Sequence, residues 1–218
     1  MKNYLLRAGL ATALALTVVS AAFADERNVA VETLLKTKIE AVLSILRQAN
    51  LTDDVKRQQV MEVINPVINF PLMAKLTLGK ENWARLTPEE RTRFVDLFVE
   101  RLKSSYLDKT TLFSDQTVTY ATAVEEAGKI HVPTKILTKD GAIEVIYRFY
   151  AANDQWQVYD VEIDGVSFIK SYRSQFDEVL KNGTVADLFA ELSKTAENEA
   201  PAVEAGNQSP PEAPAGVQ

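Results

Sequence analysis

The stretch Trp156–Phe176 constrains the fold of this chain most, because it changes from strand periodicity to helix periodicity within one run of residues. Apolar residues occupy every second position of its first half and every third or fourth position of its second half. The first set is Tyr159, Val161 and Ile163, and the second is Val166, Ile169, Tyr172 and Phe176. The pair Asp164-Gly165 between them predicts a turn, since glycine tolerates backbone angles that other residues avoid. A strand and a helix with apolar faces can enclose a hydrophobic interior from two sides.

The two ends of the chain differ in composition from the part between them. A positively charged start, an apolar run and the sequence Ala22-Phe23-Ala24 predict a cleaved export signal over residues 1–24, and this cleavage pattern disfavours an uncleaved membrane anchor. Residues 197–218 are rich in Ala, Pro and Glu and have no bulky core-forming side chains, which predicts a disordered tail. We therefore expect one exported domain over residues 25–196, long enough to bury its own core.

The charge balance and the residue types exclude several classes of function. Without Lys2 and Arg7, 22 of the 24 basic side chains remain against 30 acidic ones, a net charge of −8. Nucleic acids and anionic membrane surfaces both attract basic proteins, so neither is an expected partner. The sequence has no cysteine and a single histidine, which excludes disulfides and a Cys/His metal site. We expect no metal and no cofactor.

Four segments in the first half of the domain have helix signals. The apolar face of the first is Val31, Leu34, Leu35, Ile39, Val42 and Leu46. The second covers about 53–65 and ends before Pro66, and a short third covers 71–78 and ends at a glycine. Thr87 and Glu90 have the spacing of a capping box that starts a longer helix. The apolar face of that helix is Phe94, Leu97, Phe98, Leu102 and Tyr106.

Beyond Ser114 the apolar period changes to two. The predicted strands are Thr117–Val124, Ile130–Leu137, Ala142–Ala151 and Trp156–Ile163. Their short connections, with Asp140-Gly141 as a hairpin signal, predict an antiparallel meander. Two helices follow, the second from Thr184. The predicted class is α+β, with several helices covering one face of a curved four-stranded antiparallel sheet.

Few side chains are candidates for catalysis, and we assign none as catalytic. We expect His131 to face solvent beside Lys135 rather than to act as a general base. Asp160, Glu162 and Asp164 alternate along one strand and so share a face. A solvated strand face is the favoured interpretation of these carboxylates, a docking surface is the second, and catalysis is the third.

Two clusters of motifs resemble one known family. The first cluster is Met73-Ala74, Leu78-Gly79, Trp83, Leu86-Thr87-Pro88-Glu89, Arg91, Phe94, Phe98 and Tyr106. The second is Trp156, Tyr159-Asp160-Val161, Ile163, Gly165-Val166-Ser167 and Tyr172-Arg173-Ser174-Gln175-Phe176. In this order, over nearly the whole domain, they resemble the periplasmic phospholipid-binding MlaC proteins, also called toluene-tolerance auxiliary proteins of an ABC transport system. Val67–Pro71 departs from the family pattern of an aromatic residue after Pro66 and then a Phe-Asp-Phe segment.

The resemblance implies an NTF2-like sheet whose pocket holds phospholipid acyl chains as cargo. It implies a carrier that shuttles diacyl phospholipid between an inner-membrane ABC transporter complex with a substrate-binding ring and an outer-membrane lipoprotein–porin complex, and so maintains outer-membrane lipid asymmetry. Ser167 and Arg173 are expected to cap a helix or to contact a headgroup. The expected lipid-binding residues are Ile64, Ile68, Phe70, Met73, Leu76, Phe94, Leu97, Phe98, Leu102, Val145, Tyr147, Phe149, Tyr159, Val161, Ile163, Val166, Ile169 and Tyr172.

Two alternatives remain open from the residues. Taken alone, an apolar helix face is more often ordinary core than a ligand pocket, although the many bulky side chains on facing elements and the lack of a catalytic set favour binding. One alternative is therefore an NTF2-like enzyme that acts on a small apolar substrate, since fold does not determine function. The other is a periplasmic adaptor with a solid core that binds no lipid.

Overall fold

The computed structural model describes residues 5–107, 116–139, 141–153 and 155–194, with side chains from residue 26 onward. The side chains of the predicted export signal and the whole predicted tail lie outside these residues. None of the described helices has a stretch that is both long and apolar enough to cross a membrane.

The described chain forms six α-helices, one π-helical turn and six strands. The helices are α1 (Leu5–Leu46), α2 (Asp53–Ile64), α3 (Phe70–Arg85), α4 (Pro88–Leu102), α5 (Phe168–Asn182) and α6 (Val185–Leu192), and the π-helical turn is Lys103–Leu107. The strands are β1 (Thr117–Tyr120), β2 (Val124–Glu126), β3 (Lys129–Thr138), β4 (Gly141–Ala152), β5 (Gln155–Ile163) and β6 (Val166–Ser167). Helices, then strands, then helices confirm the predicted α+β class.

All neighbouring strands in the sheet are antiparallel, in the order β1-β3-β4-β5-β6, with β2 also paired to β3. The sheet has six strands rather than the four predicted. The segment Thr117–Val124 forms β1 and only the start of β2, because the ladder shifts by one residue between the pairs Tyr120↔Thr134 and Val124↔His131. Two strands therefore share the length of β3. The other additional strand, β6, is short and pairs with the end of β5.

A bulge in β5 decides which side chains face the two sides of the sheet. Asp160 pairs with Arg148, but the next pair joins Val158 to Phe149, which leaves Tyr159 as an extra residue. Tyr159 and Asp160 therefore both face the outer side of the sheet. Val158 replaces Tyr159 on the inner side, where it lies with Val161.

Several helix ends follow the sequence signals. Thr87 and Glu90 form the predicted capping box, with reciprocal hydrogen bonds of 3.2 and 2.9 Å. Gly79 ends the first part of α3 with a φ of 74°, and the helix resumes after this kink. Ser167 caps α5 by accepting a hydrogen bond from the Lys170 N–H at 3.2 Å.

Two separate cores support the sheet. Helices α3, α4, α5 and α6 pack on one another around the rings of Phe94, Phe98, Tyr172 and Phe176, whose neighbouring centroids lie 5.5–6.2 Å apart. A second core joins α1 to the inner side of the sheet and contains Val31, Leu35, Ile130, Val132 and Phe149. Ile68 is partly buried and packs against both cores.

Candidate functional site

An apolar cavity of about 370 Å³ lies between the inner side of the sheet and the helices. Its walls come from α1, α2, the start of α3, the end of α4 and strands β1, β3, β4 and β5. The lining residues are Leu35, Lys38, Ile39, Val42, Leu43, Leu46, Val60, Met61, Ile64, Val67, Ile68, Phe70, Met73, Leu102, Lys103, Gln116, Val118, Ile136, Ile143, Val145, Tyr147, Val158, Val161, Ile163 and Phe168.

The cavity exists because cross-strand pairs on the inner side have no side chains packed above them. Ile136 pairs with Ile143, and Tyr147 pairs with Val161. All four side chains are only partly buried although they lie on the helix-covered side of the sheet. Their accessible surface faces the cavity. In a close-packed core such residues would touch partners on every side.

Helices α1 and α2 cover the cavity as a helical hairpin. Thr52 caps α2 by accepting from the Val55 N–H at 3.4 Å. The two helices share a small apolar cluster around Leu46 and Val60, and α2 packs mainly against α1. The partly buried Ile39 and Val42 of α1 face the cavity.

The segment before α3 forms one wall because it adds to the edge of β5. Val67 O accepts from the Val158 N–H at 2.8 Å, and Val158 O accepts from the Asn69 N–H at 2.9 Å. The side chain of Asn69 caps α3 at the Leu72 N–H and donates to the Tyr150 hydroxyl at 2.6 Å. These bonds fix the segment on both sides of Ile68, whose side chain lines the cavity.

Among the described residues of the cavity wall, Tyr147 is the only one whose side chain can lose a proton and become an anion. Burial, with a smaller contribution from Tyr120, raises the pKa of its hydroxyl to about 12. The phenol therefore stays protonated at neutral pH and can donate a hydrogen bond. It is a poor general base.

The polar part of the wall consists of Lys38, Lys103 and Gln116, together with the Tyr147 hydroxyl. Lys103 is 37% exposed and pairs with Glu100 at 2.7 Å, and Lys38 is also partly exposed. Two cations at the edge of an apolar space can hold one anionic group while apolar chains fill the interior.

The structure places nine of the eighteen expected lipid-binding residues on the cavity wall. They are Ile64, Ile68, Phe70, Met73, Leu102, Val145, Tyr147, Val161 and Ile163. Their contact with lipid stays a prediction.

The other nine lie elsewhere, for four reasons. Phe94, Leu97, Phe98 and Tyr172 belong to the core of the helices, because this face of α4 packs against α3, α5 and α6. Phe149 is fully buried beside Ile130 in the core under α1. Leu76, Tyr159 and Ile169 line a groove on the outer side of the sheet. Val166 lies in β6, before the helix, and is 39% exposed.

Sequence reasoning found Ile64 of α2 but missed the rest of the helical-hairpin part of the wall. It also missed the strand residues Val118, Ile136, Ile143 and Val158. The apolar periodicity of α1 was visible in the sequence, but it does not show which space the helix covers. Strict alternation along β5 from Val161 would place Val158 on the outer side. Only the bulge at Tyr159 brings it to the inner side.

The outer side of β5 carries a buried charge network in place of a solvated face. Asp160 is 3% exposed, so the solvent interpretation is wrong for this residue. It accepts from Arg148 at 3.0 Å, from the Ser167 hydroxyl at 2.6 Å and from the Ile169 N–H at 3.2 Å. Glu162 accepts the second Arg148 nitrogen at 2.5 Å. The network ties the start of α5 to the sheet.

The carboxylate of Asp164, by contrast, lies in the turn after β5 and accepts from the Glu144 N–H at 2.9 Å. His131 is on the outer side as predicted, but only 23% of its side chain is exposed. Burial, and then the nearby Arg148, lowers the pKa of the His131 imidazole below its ordinary value of 6.5.

The groove beside this network, here called the outer groove, is bounded by strands β2 to β5 and by the first turns of α3 and α5. Its lining residues are Leu72, Leu76, Glu126, Ala127, Lys129, His131, Arg148, Tyr150, Tyr159, Asp160, Ser167, Ile169, Lys170 and Arg173. Ser167 caps α5 as expected, and Arg173 donates from Nε and Nη2 to Leu76 O at 3.2 and 2.6 Å. Both residues lie in the outer groove and are not among the residues lining the cavity.

Comparison with known proteins gives a consistent result. The family model described as MlaC protein matches residues 36–194. The toluene tolerance protein ttg2D of Pseudomonas putida is 27% identical over 151 residues, which cover 68% of this chain and 69% of that protein. A phospholipid-binding protein of Ralstonia solanacearum, solved in complex with a phospholipid, is 26% identical with a TM-score of 0.65, over 74% of this chain and 93% of that one. The matched region contains the sheet and all six helices apart from the first part of α1. The chain belongs to the MlaC family.

Proposed function

We propose that this protein is a periplasmic phospholipid carrier whose apolar cavity holds the acyl chains. The observation that carries the proposal is a cavity of about 370 Å³ whose wall is apolar except at Lys38, Lys103, Gln116 and the Tyr147 hydroxyl. The phospholipid bound by the Ralstonia solanacearum protein supports the choice of ligand.

The physical need for such a carrier is large. Each methylene resists transfer to water by about 0.8 kcal/mol, so a chain of about 15 methylenes resists it by about 12 kcal/mol. Two such chains make unaided passage through an aqueous compartment negligibly rare. A cavity that takes up the chains and leaves the headgroup in water removes that barrier without a chemical step.

The cationic part of the wall suggests the position of the phosphate. Lys38 and Lys103 are the charged residues of the wall, and both have surface in contact with solvent. A phosphodiester placed between them stays hydrated while the chains lie against Val161, Ile136 and Ile143. Because phosphate is common to all diacyl phospholipids, we expect little preference among headgroups.

We also propose a transport route and two partners for the carrier. We propose that the carrier receives lipid from one membrane complex and delivers it to another, namely an inner-membrane ABC transporter complex with a substrate-binding ring and an outer-membrane lipoprotein–porin complex. This transport would maintain the lipid asymmetry of the outer membrane. Membership of the MlaC family supports this assignment of partners.

A transfer assay tests the carrier role. Donor vesicles contain a self-quenched fluorescent phospholipid, and acceptor vesicles contain none. We expect the protein to accelerate dequenching in proportion to its concentration, with the lipid chemically unchanged by mass spectrometry. A protein that binds lipid but does not accelerate transfer would contradict the carrier role, and a modified lipid would indicate an enzyme.

A further inference from the structure

We propose that the outer groove is a docking surface for an acidic segment, and that its occupant in this chain is the tail, residues 195–218. The proposal does not depend on lipid binding, because the groove and the cavity lie on opposite sides of the sheet. It rests on charged side chains that line the outer groove and do not line the cavity.

The groove is positively charged on a chain that is acidic overall. Its walls carry four cationic side chains, Lys129, Arg148, Lys170 and Arg173, and two anionic ones, Glu126 and Asp160. With His131 neutral, and with Glu162 counted because it also pairs with Arg148, one positive charge is in excess, whereas the whole chain carries a net charge of −6. A positively charged groove on an acidic protein attracts an acidic segment by charge complementarity.

Three of these cations are available to a ligand. Arg148 is neutralised by Asp160 and Glu162. In the part of the chain that the structure describes, no carboxylate lies within ion-pair distance of Lys129, Lys170 or Arg173.

Two of the three are held in place. The Lys129 ammonium lies 5.0 Å from the centroid of the Tyr159 ring, and the two hydrogen bonds to Leu76 O fix the Arg173 guanidinium. Leu72 and Ile169 supply apolar wall between them. The groove therefore combines positioned positive charge with an apolar surface, which fits an extended segment that carries both carboxylates and small apolar side chains.

The tail has this chemistry. Residues 195–218 contain Glu197, Glu199, Glu204 and Glu212 and no Lys or Arg. Between these glutamates lie Ala, Pro and Val residues. No other stretch of comparable length outside the described residues has this charge.

The tail also starts close enough to reach the groove. The carbonyl of Lys194 accepts a hydrogen bond from Arg101, which lies one helical turn after Phe98 in α4. The Phe98 ring is 5.5 Å from that of Tyr172. In α5, Tyr172 lies between the groove residues Lys170 and Arg173. An extended chain spans about 3.3 Å per residue, so Glu197 to Glu204 can reach roughly 10 to 33 Å from Lys194, which covers a helix diameter of about 10–12 Å.

Because the tail is covalently attached to the domain, weak ion pairs are enough to hold it in the outer groove. Each exposed ion pair contributes little, but a short flexible connection gives an effective concentration of about 1 mM, so the docked state exceeds one half when the intrinsic Kd is below about 1 mM. An acidic segment of another protein would have to displace the tail to use the same groove.

The absence of cysteine allows a single spin label to test the proposal on the full chain. In the variant Ala205→Cys, a nitroxide should broaden the amide resonances of Gly128, Lys129 and Lys170. The broadening should disappear when the Debye length is shortened from about 30 Å at 0.01 M salt to about 3 Å at 1 M salt. The double change Lys129→Glu and Lys170→Glu should also abolish it.

Lys139→Glu is the matched control, because Lys139 follows the opposite end of β3 and is exposed. It should leave the broadening unchanged. The proposal would be overturned if the label caused no broadening or broadened the whole sheet uniformly. It would also be overturned if the broadening persisted in the Lys129→Glu, Lys170→Glu variant. Protection of the same amides by phosphatidylglycerol vesicles, without any effect of the tail label, would assign the groove to a membrane surface and would also overturn it.

Discussion

The substitution Val161→Glu separates a lipid cavity from a packed core. Val161 lies on the inner side of β5 opposite Tyr147, is partly buried, and lines the cavity. In the lipid-free protein, water in the cavity can hydrate the new carboxylate, and we expect the variant to fold. In the loaded protein the acyl chains would remove that water.

The expected loss of lipid affinity follows from the free energy of protonating the new carboxylate. At pH 7 a glutamate with its ordinary pKa of about 4.3 must bind a proton before apolar chains surround it, which costs about 3.7 kcal/mol, or roughly 500-fold in affinity. At pH 5 the same cost is about 1 kcal/mol, roughly fivefold. The variant should therefore lose most of its lipid at pH 7 and regain about 100-fold in affinity at pH 5. Wild-type loading should not show this acid-dependent recovery.

The same substitution at two other valines supplies the controls. Val132 is fully buried in the core under α1, so Val132→Glu buries an unpaired carboxylate at a cost of several kcal/mol, which is a large part of the stability of a domain. We expect that variant to unfold or fail to accumulate. Val124 is 57% exposed, and Val124→Glu should change neither folding nor lipid content.

The assay measures thermal melting and extracted phospholipid per protein on one sample, at both pH values. A Val161→Glu variant that unfolds like Val132→Glu would show that this position is packed. A stable variant that keeps its full lipid content at pH 7 would show that this face of β5 does not touch the ligand. The first outcome would contradict the cavity at this position, and the second would contradict contact between this face of β5 and the lipid.

Three further predictions follow from other parts of the molecule. Intact-mass measurement of the exported protein should give a chain that begins at Asp25, and a mass that retains residues 1–24 would contradict the predicted export signal. His131→Ala should leave lipid loading unchanged. Because the folded state lowers the His131 pKa below 6.5, the wild type should lose stability as the pH falls below that value, and a melting series should show that the variant lacks this loss. Asp160→Ala should cost about 3 kcal/mol and roughly 6 to 12 °C in Tm, because Arg148, Ser167 and the Ile169 N–H lose a buried acceptor, and an unchanged Tm would contradict a structural role for the network.

Periodicity alone predicted the class of fold and much of the sheet. The alternation of Val145 and Tyr147, and of Val161 and Ile163, depends only on local strand geometry, and the structure places all four on the cavity wall. Capping at Thr87 and the break at Gly79 are also local effects, and both are present. Such features need no information about distant partners.

The remaining site residues depend on long-range packing, which the pattern does not contain. Tyr159 faces outward because the register with β4 accommodates one extra residue at that point. Phe94 and Phe98 form a regular helix face, but only the positions of α5 and α6 show that this face meets helices and not the cavity. Ile39 and Val42 illustrate the reverse case, since an ordinary amphipathic pattern forms part of the cavity wall.

The central claim, that the apolar cavity holds phospholipid, is tested most directly by native mass spectrometry of the exported protein as purified. We predict a mass that exceeds the polypeptide by that of a diacyl phospholipid, and we predict that denaturation returns the mass to that of the polypeptide while releasing the lipid intact. A folded protein that shows only the polypeptide mass, and that gains none after incubation with phospholipid vesicles, would contradict the claim.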